Sequence, residues 1–157
     1  MKVKTKVVFD IEKDIEKINT PQAMKEVGEL VVREMKTMIL SGVSPVRGNK
    51  RFAPYKDRTK YPGDLKPARP VNLKLTGEML DALTFRPYKE TVHIGIFTSD
   101  QGVKDRAEAH NQGTEHMAKR QFIPQEGEEF AVTIMRKIKA HFEKKLSVII
   151  RQSNKSK

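Results

Sequence analysis

LTFRPYKETVHIGIF, residues 83–97, decides the fold class. Val92, Ile94 and Ile96 alternate with His93, Gly95 and Phe97. A period of two with β-branched residues predicts a strand over 91–97, paired with one over 83–88 through a turn at Lys89-Glu90. A small hairpin with one apolar face needs a cover, and two long amphipathic stretches supply it. In the first, Met24, Val27, Val31, Met35 and Met38 recur at spacings of three and four, widened by Leu30 and Ile39. Thr20 as cap and Pro21 as first residue start that helix, and Ser41-Gly42 stops it, giving about 21–40. In the second, Phe130, Ile134, Ile138, Phe142 and Leu146 form an every-fourth stripe on a helix predicted from about 125, after Pro124, to 146 or beyond. Glu126, Glu128 and Glu129 fall in its first turns, and Lys144, Lys145 and Arg151 near its end, as the helix dipole favours. The expected fold is α+β: a small, mainly antiparallel sheet packed against two long helices.

Outward from that frame, KVKTKVVF (2–9) reads as a further strand with lysines on one face. Ile11, Ile15 and Ile18 mark a short helix over 10–18, capped by Asp10. Thr76 caps a short helix carrying Met79, Leu80 and Leu83. Asp100 to Gly102 reads as a turn, followed by a short helix from Lys104 to Asn111 that closes at Gly113. Gly28, inside the first long helix, costs roughly 1 kcal/mol against Ala; it marks a close contact or is simply tolerated.

The 157 residues suit one domain, 1–152, with a basic tail at 153–157. With no cysteine, disulfides and thiol chemistry are excluded. No apolar run is long enough to span a membrane, and the N-terminus lacks a signal-peptide core, so a cytoplasm-like compartment is expected. The net charge is +11, with +7 in residues 43–74 and +7 in residues 136–157. Such blocks meet nucleic acid or an acidic protein surface, or are merely solvated. Residues 43–70 hold five of the eight prolines and neither helix nor strand periodicity. A loop of that length is usually functional or mobile. In it Arg47, Lys50, Arg51, Lys56, Arg58 and Lys60 interleave with Phe52, Tyr55 and Tyr61. That mixture suits single-stranded nucleic acid, and equally an arm docking on a neighbouring subunit.

Catalytic chemistry finds little support. His110 and His116 are six apart across a Gly-containing turn, a spacing that matches no helical metal pair. His93 and His141 read as structural residues. Asp57 and Asp64 lack a visible scaffold, and no nucleophile elbow, phosphate loop or dinucleotide fingerprint is present. No catalytic residue, metal or cofactor is expected.

Three stretches in order carry a family resemblance: VNLKLTGEMLDAL (71–83), AEAHNQGT (107–114) and MAKRQFIP (117–124), the last followed by the terminal helix. The set resembles the tail-completion and neck proteins of tailed bacteriophages, in the virion-morphogenesis group, over roughly residues 20–145. SGVSPVRGNKRFAPY (41–55) is similar in style. Arg106 stands where the family often has an aromatic residue, and 118–122 keeps Arg120 and Phe122 without the family's two prolines. The resemblance implies a structural virion protein without catalysis, assembled in the host cytoplasm: a hexameric ring of this chain closing the tail tube. Its partners would be the tail tube and the neck or head-completion proteins, close to packaged DNA and without membrane contact. Thr76, Gly77, His110, Gly113 and Pro124 are the structural motif positions. Gly77 allows a close approach or makes a simple turn, and Gly113 can take φ > 0. Arg47, Arg51, Phe52, Tyr55, Tyr61, Arg120 and Phe122 are the candidate subunit or partner contacts; Phe122 is equally a core residue, and the rings of 43–70 equally fold back on their own subunit. The alternative function is a nucleic-acid-binding module using segments 43–74 and 136–157.

Overall fold

The computed structural model describes residues 4–8, 20–55, 71–74 and 76–155. Its elements are β1 (Lys4–Val8), α1 (Thr20–Leu40), α2 (Glu78–Asp81), β2 (Leu83–Pro87), β3 (Thr91–Ile96), α3 (Gln101–Gln112) and α4 (Val132–Lys155). The architecture is α+β. The helix expected over 10–18 lies outside the described residues.

β3 is the central strand of a three-stranded antiparallel sheet ordered β1-β3-β2. Leu83 pairs with Ile96 and Phe85 with Ile94, while Val7 of β1 pairs with Val92. The alternation predicted for β3 appears in its burial: Val92 and Ile94 are fully buried and His93 between them is not. α1 lies across β2 and β3, presenting Val27, Val31 and Met35, all fully buried. Gly28 is a point of close approach: a Cβ there would stand 2.6 Å from Cγ and 2.8 Å from Cε2 of Phe85. The end of α1 is set by Gly42 at φ 76, with Gly42 N–H donating to Ile39 O and Val43 N–H to Met38 O, both at 2.9 Å. That is the Schellman arrangement, and glycine is the residue that enters it without strain.

α4 packs antiparallel to α1. Lys137 meets Glu34 at 2.5 Å, and one turn-pair further along Lys145 meets Glu26 at 2.6 Å. The Lys145 hydrogen bond holds the Glu26 carboxyl below its ordinary range, against the opposing effect of burial. The inner stripe is Ile134, Ile138 and Phe142, all buried.

Three boundaries differ from expectation. α4 begins at Val132 rather than near 125, because the preceding residues pair with the loop after α1: Val46 bridges Phe130, Arg47 N–H donates to Glu129 O, and Ala131 N–H to Pro45 O. Glu126, Glu128 and Glu129 therefore lie before the helix, not in its first turns. At its other end α4 continues to Lys155, into the stretch expected as a tail. α3 begins at Gln101, because Asp100 is its N-cap and accepts from Val103 N–H at 3.1 Å. Thr76 does not cap α2: its hydroxyl donates to the Glu78 carboxylate, and Gly77 is the N-cap at φ 100. A Cβ on Gly77 would meet only ordinary contacts, so this glycine serves the backbone angle and not a close approach.

Candidate functional site

The site is built where the loop after α1 meets the 117–124 stretch. Its foundation is Asn111, on the inner face of α3 below Val103 and Ala107 and 1% exposed. Its side-chain oxygen accepts from Phe122 N–H at 2.9 Å and Ile123 N–H at 2.8 Å, and its amide donates to Ile123 O at 3.0 Å. An extended segment buried among apolar neighbours has its backbone groups satisfied this way. Between the two, Gly113 ends α3 at φ 80, and a Cβ there would come within 3.0 Å of Lys119 N. Both the angle and the space demand glycine. The Thr114–Met117 turn then returns the chain, and Arg120 N–H closes on His110 O at 2.7 Å.

Arg120 is the centre. It is 2% exposed. Its guanidinium donates to Ala53 O and Pro54 O, each at 2.7 Å, and to Ala118 O at 3.3 Å, and lies 4.7 Å from the centre of the Tyr55 ring. The loop is tied further by Ser44, which donates to Gln121 O at 2.6 Å, and by the Val43–Arg51 bridge. Beside Arg120 opens a cleft of about 200 Å³, lined among others by Ser44, Lys50, Arg51, Phe52 and Lys119. Burial, with Arg120 as the second cause, depresses His110 to a pKa of about 4, so its imidazole is neutral near pH 7.

The described members of the expected contact set take the following places, with Phe122 and the rings of 52 and 55 on the own-subunit side of the alternatives. Phe122 is fully buried and Phe52 is 8% exposed within the main apolar cluster, so neither ring has a surface to offer a partner. Arg120 points inward, to its own chain. Tyr55 stacks under Arg120. Residues 43–55 are therefore folded onto their own subunit and are not a free arm. Arg47 and Arg51 remain exposed, Arg47 paired with Glu129. Pro124 is buried, eight residues ahead of the start of α4 at Val132. Tyr61, Lys56, Arg58, Lys60, Asp57 and Asp64 lie outside the described residues.

The remaining histidines are separate from one another. His93 packs its ring 4.5 Å from that of Tyr88, His141 lies 3.0 Å from Glu26, and His116 is exposed. Among the described residues no three His, Asp or Glu side chains gather where a metal ion would sit. No helix among them is long and apolar enough to cross a membrane.

Sequence reasoning missed Asn111. Its signal was the Val103, Ala107, Asn111 spacing: an amide on the face that the helix buries implies that its oxygen and its NH2 group both find partners. No family model matches the chain, and no curated protein or solved structure matches it.

Proposed function

We propose that the chain is a structural virion protein of a tailed phage, a tail-completion or tail-terminator subunit that forms a ring, hexameric, at the head–tail junction. One observation carries the reading: the three stretches on which the resemblance rests form a single continuous unit. Met79 and Leu80 share a core with Val103 and Ala107, Arg106 meets Glu78 at 2.9 Å, and Asn111 clamps Phe122 and Ile123. Stretches 71–83, 107–114 and 117–124 thus act as one scaffold. Identical subunits joined head to tail close into a ring when the rotation from one to the next closes. The reading assigns no catalysis. Its partners are further copies of the chain, the tail tube and the neck proteins. The test is deletion of the gene from the producing phage, followed by electron microscopy of the lysate. Heads and tails that fail to join are expected, with joining restored by complementation. Normally joined, infectious particles would overturn the proposal.

A nucleic-acid-binding module is the second reading, favoured by one feature. Arg136, Lys144 and Arg151 are exposed on α4, as is Lys139 beside Glu143 at 3.9 Å, whereas Lys137 and Lys145 are paired across to α1 with Glu34 and Glu26. Phosphate-driven binding falls steeply with salt. Sub-micromolar, salt-sensitive binding of an oligonucleotide by the purified chain would favour it over the ring.

A further inference from the structure

The Arg120 cleft holds a charge that no described residue compensates. Arg120 is buried, yet among the described residues its partners are all neutral: three carbonyl oxygens and a phenol ring. A guanidinium has five N–H donors, and those bonds use three. Burying a cation without a counter-charge is costly. The described residues lining the cleft include Lys50, Arg51 and Lys119 beside Arg120 and no acid. Glu129, which meets this loop, is engaged by Arg47.

We propose that this cleft is the seat of a carboxylate side chain from an acidic segment of an adjoining protein. The inference rests on the assembly reading for the source of that segment, and adds the chemistry by which the contact is recognised. Arg120 is positioned before the partner arrives, since three carbonyls and Tyr55 fix the plane of its guanidinium. Little side-chain entropy is then lost on pairing. Lys50, Arg51 and Lys119 at the rim speed encounter and exclude cationic partners. Nucleic acid fits the cleft less well. Stacking needs free rings, and here Phe52 is in the core and Tyr55 is covered by Arg120. The volume of about 200 Å³ is that of a side-chain socket, below the ~300–1,000 Å³ usual for larger ligands.

The test uses the full chain, a fluorescent glutamate-rich peptide and a labelled single-stranded oligonucleotide of equal length, read by anisotropy. Arg51→Glu with Lys119→Glu reverses charge at exposed rim positions and leaves the core untouched. That pair is expected to weaken peptide binding at least tenfold, while Arg136→Glu with Arg151→Glu on α4 changes it less than twofold. Circular dichroism verifies that both variants are folded. Absence of peptide binding by the parent chain, equal losses in the two variants, or a cleft-dependent oligonucleotide signal without a peptide signal would each overturn the proposal. The assembly reading fails separately: a chain that binds the peptide through the rim yet is dispensable for joining heads to tails keeps the cleft and loses the ring.

Discussion

Replacing Asn111 with alanine tests the clamp on which the site is built. The substitution removes the acceptor for Phe122 N–H and Ile123 N–H, bonds of 2.9 and 2.8 Å, and the donor to Ile123 O. Ile123 O keeps a long second bond from the Gln121 amide at 3.4 Å, so the two N–H groups suffer most. Phe122 and Ile123 are at most 1% exposed, so water does not replace the lost acceptor. Each orphaned buried group costs about 1–3 kcal/mol, giving a loss of about 2–6 kcal/mol. A domain of this size is stable by only about 5–15 kcal/mol, so the variant is near the edge of folding. Urea unfolding followed by far-ultraviolet circular dichroism measures the difference. Gln112→Ala, one residue along on the exposed side, is the control and stays within about 0.5 kcal/mol. A loss below about 1 kcal/mol for Asn111→Ala would refute the clamp, because two desolvated donors do not vanish at so small a cost.

Other expectations use the same logic. Native His110 titrates near 4, below the ordinary value, so the unfolded chain binds its proton more readily. Stability is therefore level above about pH 6.5 and falls on acidification towards pH 4, by up to about 3 kcal/mol. Urea midpoints across that range measure it, and His110→Gln flattens the slope. Gly28→Ala gains helix propensity of roughly 1 kcal/mol but drives a Cβ into the Phe85 ring, so thermal unfolding registers a net loss of about 1–2 kcal/mol. Phe52→Ala with Tyr55→Ala destabilises the isolated subunit by about 3 kcal/mol or more, because Phe52 is a core residue; unchanged stability in urea would return both rings to a free arm.

Much of this was legible where a single period governs the chain. β3 alternates because one face meets α1 and the other does not, and α1 carries a stripe because it covers that sheet. The same logic misplaced the start of α4. Phe130 sits in phase with Ile134 and Ile138 and is buried with them, yet its backbone is extended and bridges Val46. Periodicity of apolar residues reports burial, and burial alone does not distinguish the last extended residue from the first helical one. Residues 43–55 were illegible for a different reason. Beyond the short Val43–Arg51 pairing, they are held by the Ser44 hydroxyl, the Arg120 guanidinium and a backbone bond to Glu129, with partners more than sixty positions away. No local pattern encodes such tethers. Arg120 stands out in the sequence as a candidate contact, and the structure supplies the carbonyls that three of its five donors hold: those of Ala53, Pro54 and Ala118.

Immunogold labelling of purified virions tests the central claim most directly. The chain as a head–tail junction subunit predicts gold at one position per particle, where the tail meets the head, and none along the tail or over the capsid. Label absent from mature virions, or spread over capsid or tail, would contradict it.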